Sequence, residues 1–149
     1  MLVYRITLAK FSTALCPSGI AARWNPKDAK MIYTASSRAL ACLENLVHRG
    51  SVGLAAQFRT MVIEIPDRLA VATIENKELK TGWKSFENYP YTQALGEAWI
   101  KEAKTAILKV PSAIISEECN YLLNPSHKDF TKIELVRVED FEFYGRIKK

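Results

Sequence analysis

Apolar positions along the chain fall into short extended runs and two longer helical ones. Residues 58–65 alternate and close at Pro66, and residues 2–9 are rich in β-branched and aliphatic side chains, so both predict strands. Residues 31–35 form a short apolar strand ending at Ser36-Ser37, either of which can cap a following helix. That helix is expected over residues 37–49, with Leu40, Leu43, Val47, Ala39 and Leu46 on one buried stripe. Glu44 falls just beyond the stripe's edge, His48 one turn later, and Gly50 stops the helix. A second helical pattern covers residues 91–104 through Leu95, Ala98, Trp99 and Ala103.

Residues 69–74, 106–110 and 133–138 are further extended runs, the last followed by Phe141 and Phe143. Residues 113–115 are expected to continue the strand past Pro111, and residues 120–124 to lead into an Asn-Pro turn at Asn124-Pro125. Residues 76–88 read as a polar loop. Residues 10–30 read as a longer one, carrying Pro17, Gly19, Asn25, Pro26 and Asp28. Loops beyond about 12–15 residues in a compact domain are commonly functional. Strands outnumber helices, so the fold class expected is α+β, or mixed α/β. One domain over residues 1–149 is expected, with no repeat and no linker.

Hydrophobic residues make up 48% and charged residues 25% of the chain, which excludes a disordered protein. The net charge of +5 invites a nucleic-acid partner, but the basic residues are interleaved with acids, as in Lys77-Glu78-Leu79-Lys80 and Lys101-Glu102-Ala103-Lys104. The one basic tail, Arg146-Ile147-Lys148-Lys149, is short. No direct nucleic-acid contact is expected, and the charge suits a small anion such as a nucleotide diphosphate equally well. Cys16, Cys42 and Cys119 are odd in number and far apart, as expected for free thiols in a reducing compartment. No apolar run approaches the ~20 residues of a membrane helix, and the first residues lack a signal-peptide layout. A cytoplasmic location without membrane contact is expected.

The familiar phosphate cradles, the G-x-S-x-G elbow and the H-E-x-x-H helix are all missing from the sequence. His48 and His127 stand apart from each other and from the cysteines, so neither a metal site nor a Ser-His-Asp hydrolase is expected. What remains are polar residues inside apolar elements. Arg5 interrupts the first strand, Arg23 sits in the long loop, Tyr33 lies in the second strand and Glu44 at the rim of the helix stripe. Each has an ordinary structural explanation: a salt-bridged or surface arginine, a core tyrosine, a solvated carboxylate.

Their order and spacing are more informative. Arg23, Tyr33 and Glu44 are 10 and 11 residues apart, followed by Val110-Pro111-Ser112-Ala113 and by Asn120-Tyr121-Leu122-Leu123-Asn124-Pro125-Ser126-His127. Together with Tyr4-Arg5-Ile6, Arg23-Trp24-Asn25, Tyr33-Thr34-Ala35 and the segment from Ala39 to His48, this arrangement resembles the RES-domain family of bacterial toxins. The likeness runs from Tyr4 to about Val138.

The resemblance implies a fold like that of the ADP-ribosyltransferase toxins. It also implies a reaction that depletes NAD by hydrolysing its nicotinamide–ribose bond, NAD being the substrate with no further cofactor and no metal. An Xre-type antitoxin blocking the active site, in a hetero-oligomer, is the implied partner. Glu44, Arg23 and Tyr33 would form the catalytic core, and Arg5 and Ser112 would line the same pocket. In that scheme Glu44 stabilises the ribosyl cation and orients water. Arg23 or Arg5 binds the diphosphate, Tyr33 stacks on nicotinamide, and Ser112 bonds the ribose or the carboxamide. Two alternatives stay open: an ADP-ribosyltransferase modifying a protein target, and a non-enzymatic nucleotide-binding module. The family's glycines beside its Arg-Trp-Asn are replaced here by Ala21-Ala22 and Asp28-Ala29. If those glycines supplied positive φ angles, the replacements would strain the loop.

Overall fold

The computed structural model describes residues 1–48 and 50–147. Seven strands follow from the extended runs: β1 (Leu2–Leu8), β2 (Ile32–Ala35), β3 (Phe58–Glu64), β4 (Val71–Thr73), β5 (Ile107–Pro111), β6 (Cys119–Leu123) and β7 (Glu134–Phe141). They form one sheet in the order β4-β5-β6-β2-β1-β3-β7. Every neighbouring pair is antiparallel except β4 and β5, which run parallel. The two helices are α1 (Arg38–His48) and α2 (Tyr89–Glu102). The expected α+β class holds.

Register puts alternate residues of the central strands on opposite faces. Ile32, Leu123 and Ile107 align across β2, β6 and β5 and join Val3, Met61 and Ile63 in one core. Their neighbours Leu122 and Leu108 turn to the other side, where α2 lays Trp99 on them beside Trp24, Met31 and Trp83. A third core, of Ile6, Ala35, Leu40, Ala41 and Phe58, seats α1 against β1 and β2. At its outer end α1 is fastened to β7 by Arg38, whose Nε and Nη2 donate to the two Glu139 oxygens at 3.0 Å each.

The helix boundaries are set by local chemistry. Ser37 is the cap of α1: its Oγ accepts from the Leu40 N–H at 3.1 Å. The expected last helical residue, Arg49, lies outside the described residues, as do Lys148 and Lys149 of the basic tail. Helix α2 begins two residues earlier than its apolar pattern because Pro90 is accepted in a first turn, where its missing N–H costs nothing. It ends at Ala103 in a left-handed conformation (φ 51°).

Three expectations are corrected. Residues 113–115 do not extend β5; they turn, and the Ser112 side chain accepts from the backbone N–H groups of Ile114 and Ile115. Residues 120–124 are mostly the central strand β6, and the Asn124 side chain then closes the turn by accepting from Ser126 N at 2.9 Å. Most consequential, the buried face of α1 is not the expected stripe. Leu40 and Ala41 are buried, Glu44 and Asn45 half-buried, while Ala39, Leu43 and Val47 are exposed. The helix turns a partly polar face inward because that face borders a cleft.

Candidate active site

The cleft has a volume of about 490 Å³ and is walled by β1, β2, α1 and the loop before β2. That size falls in the range of small-molecule sites. Arg5, Arg23, Tyr33 and Glu44, all expected site residues, line it together, along with Asn45, His48, Tyr89 and Asn120. Among the described residues, no group of three or more His, Cys, Asp or Glu could hold a metal ion.

Glu44 is the most constrained of these groups. Its Oε1 accepts from Asn120 Nδ2 at 2.8 Å and from Ser112 Oγ at 3.1 Å, and its Oε2 lies 3.3 Å from His48 Nε2. Burial pushes the carboxyl pKa up, but the hydrogen bonds from His48, Asn120 and Ser112 outweigh it and hold the group below its ordinary value. The carboxylate is therefore ionised at neutral pH. Ser112 does not line the cleft as expected. It is fully buried, and because its oxygen accepts two backbone N–H groups, its own hydrogen is directed to Glu44.

Arg23 is held by its surroundings. Its Nη1 donates to the carbonyls of Trp83 (3.3 Å) and Lys84 (2.9 Å), and the guanidinium lies over the rings of Tyr89 (4.9 Å) and Trp83 (5.6 Å). Its backbone is docked on α2: the Arg23 carbonyl accepts from Thr92 Oγ1 at 2.6 Å and the Ala22 carbonyl from Gln93 Nε2 at 2.8 Å. The neighbouring Trp24 carbonyl passes so close to Gly96 that a Cβ there would sit 1.7 Å from its oxygen. Positive φ is not required where the family's glycines are replaced. Among the described residues Ala103 is the one non-glycine with φ above zero, so Ala21, Ala22, Asp28 and Ala29 carry no such strain.

Tyr33 braces the same loop. Its hydroxyl donates to Asn25 Oδ1 at 2.7 Å and accepts from Trp24 N at 3.0 Å. Burial raises its pKa well above the ordinary tyrosine value, so it stays a protonated donor. Arg5 reaches from β1 to β2 and donates from Nη1 to the Tyr33 carbonyl at 3.2 Å. Burial lowers its pKa and the nearby Cys16 thiol opposes that, yet an arginine remains charged in proteins.

Sequence reasoning missed several of these residues. The spacing of four between Glu44 and His48 on a helix was a usable signal, since such residues face one another. A glycine inside a helix, as at Gly96, signals a close approach. Asn45 and Asn120 fall within segments that carry the family resemblance but were given no role, and Tyr89 had no local signature. His127, the other histidine, is buried away from the cleft, where its Nδ1 accepts from Asp129 N at 3.0 Å.

Fold and site together define a class: a seven-stranded mixed sheet with two helices, whose cleft sets an ionised, buttressed carboxylate among arginines. The RES domain family model matches residues 2–144, and the chain belongs to the RES-domain family. "Prs ADP-ribosylating toxin" of Sphingobium sp. (strain YBL2) is 39% identical over 129 residues, 84% of this chain and 79% of that protein. "Toxin Res" of Yersinia enterocolitica is 33% identical over 153 residues, 99% of this chain and 100% of that protein. Among solved structures, the crystal structure of the M. tuberculosis MbcT–MbcA toxin–antitoxin complex matches with a TM-score of 0.77 at 21% identity. The match covers 95% of this chain and 84% of that one, which shows a shared fold.

Proposed function

We propose that the chain is the toxin of a toxin–antitoxin pair and consumes NAD by breaking its nicotinamide–ribose bond. Glu44 carries the proposal: a binding module for anions gains nothing from an ionised carboxylate held by Ser112, Asn120 and His48 in its cleft. As the bond breaks, nicotinamide leaves with the bonding electron pair as a neutral pyridine. Positive charge grows on the ribose, and a fixed carboxylate stabilises it. Water adds to C1′ and loses a proton, giving ADP-ribose, nicotinamide and H⁺. Because its pKa is lowered, Glu44 is a weak base, so its role is electrostatic and orienting.

The other side chains supply binding. Arg5 and Arg23 offer charged N–H donors to the diphosphate, with Arg23 prealigned by its carbonyl anchors and aromatic neighbours. The Tyr33 ring forms part of the wall against which nicotinamide stacks. Ser112 acts through Glu44 instead of touching the ribose or carboxamide. An Xre-type antitoxin closing this cleft is the proposed partner and takes over any DNA contact. The names of the RES relatives and the complex containing the MbcT fold support that pairing.

A second reading, ADP-ribosyl transfer to a protein, shares the bond-breaking step and is favoured by the name of the Sphingobium relative. Incubation of the purified protein with NAD, alone and with cell extract as a source of protein acceptors, separates the two. Equal amounts of free ADP-ribose and nicotinamide support hydrolysis, label retained on a protein target supports transfer, and unchanged NAD overturns both.

A further inference from the structure

Arg23 and Arg5 each commit one nitrogen to backbone carbonyls: Nη1 of Arg23 donates to Trp83 and Lys84, and Nη1 of Arg5 to Tyr33. Among the described residues neither guanidinium pairs with a carboxylate. The Nε–Nη2 edge of each bonds no described residue and keeps solvent access. Tyr89 stands beside Arg23 with the same kind of free donor. Its ring is fixed under the Arg23 guanidinium at 4.9 Å and against the Phe86 ring at 4.8 Å. The residue is half-buried, yet its hydroxyl bonds no described residue and is not among the buried polar atoms, so it is open to solvent. The Tyr89 phenol also lies near enough to that of Tyr33, another cleft residue, to act on it electrostatically, which directs the ring inward.

These donors occupy a different wall from the carboxylate. Glu44 is the one acidic side chain among the described residues lining the cleft, and Ser112, Asn120 and His48 hold it. Arg23 and Tyr89 belong instead to the loop before β2 and to the first turn of α2. Diphosphate oxygens carry negative charge and only accept hydrogen bonds, so N–H and O–H groups attract them and Glu44 repels them. We propose that the Tyr89 hydroxyl binds the diphosphate of the dinucleotide together with the free edge of Arg23. Tyr89 is then a specificity-determining residue for substrates that carry this diphosphate. The inference rests on the NAD-consuming activity proposed above and adds a residue that no charge would reveal.

Tyr89→Phe removes the hydroxyl and keeps the ring on which Arg23 and Phe86 pack, so Tm should change little. The test measures kcat/KM of wild type and variant on NAD and on nicotinamide riboside, which has the same scissile bond and no phosphate. Calorimetry with ADP, which presents a diphosphate without that bond, runs in parallel. The expected result is a roughly tenfold loss of kcat/KM on NAD and a similar rise in Kd for ADP, with the riboside unaffected. Where the riboside is cleaved too slowly to compare, the Kd for ADP decides. No loss on NAD, an equal loss on NAD and the riboside, or an unchanged Kd for ADP overturns the assignment. So does a wild type that consumes NAD but does not bind ADP. Each of these outcomes leaves NAD consumption standing. If folded wild type does not consume NAD, the underlying activity and this inference fail together.

Discussion

The substitution Gly96→Ala places a single methyl group where the Trp24 carbonyl now lies. The new Cβ would be 1.7 Å from that oxygen and 2.8 Å from its carbon. A carbon–oxygen contact needs about 3.3 Å, so the loop must retreat from α2 by roughly 1.6 Å or the helix must deform. That movement breaks the hydrogen bonds of Thr92 to Arg23 and of Gln93 to Ala22, each worth about 1 kcal/mol, and loosens the buried Trp24 ring. Overpacking adds about 1–3 kcal/mol, while the better helix propensity of alanine returns about 1 kcal/mol. The net expectation is a loss of about 2–4 kcal/mol, seen as a fall in Tm of roughly 6–14 °C. Arg23 travels with the loop, so NAD turnover should fall on the order of a hundredfold at temperatures where the variant remains folded. Thermal denaturation by circular dichroism and initial rates of nicotinamide release supply both numbers. A variant with wild-type Tm and wild-type turnover would refute the docking of this loop on α2 as the device that places Arg23.

Other outcomes follow from the same geometry. Arg23→Lys removes the planar fork and the bonds to Trp83 and Lys84, and should raise KM for NAD about tenfold or more in steady-state assays with little change in Tm. Since the Glu44 pKa is lowered, turnover should stay level as pH falls to about its ordinary 4.5 and decline only below it. A pH–rate profile whose acid limb begins above pH 6 would contradict that. The sign is the same for folding: the stability this carboxylate contributes is complete above its unfolded pKa and is lost as pH drops through the lowered one. His48→Ala removes one of the donors that keep Glu44 ionised, so the acid limb should move to higher pH, with partial recovery in His48→Gln. An unmoved limb in His48→Ala would show that the pair is incidental.

Most strands were legible because their physics is local. Residues 58–64 and 2–8 fold as strands within the runs expected, Ala9 instead starting a short 3-10 turn, since β-branched and apolar side chains at extended spacing have a sheet to join. Helix α1 was found, but its inward face was misassigned for an instructive reason. Apolar periodicity assumes that what faces inward is a greasy core, and here the inward face borders a cleft that needs Glu44, Asn45 and His48. Leu43 and Val47 were consequently placed inside although both are exposed. Strand β6 was blurred by the polar Cys119-Asn120 start and the Asn-Pro turn that follows. At the site, Arg23, Tyr33 and Glu44 were visible through their spacing, and they do share one cleft. Ser112 was visible too, but which side of the wall it occupies depends on the turn at residues 113–115. The contributions of Asn120, Tyr89 and Trp83 arise from contacts across 60 or more positions, which no window along the chain can display.

The central claim is that the buttressed carboxylate of Glu44 drives cleavage of the nicotinamide–ribose bond. Glu44→Gln keeps an oxygen to accept from Ser112 and Asn120 while removing the charge, so Tm should change little. Nicotinamide released from NAD by wild type and by Glu44→Gln, measured side by side, tests the claim directly. Wild type should release nicotinamide continuously and the variant about 10²–10³ times more slowly. Equal release by the two proteins, or none by well-folded wild type, would contradict it.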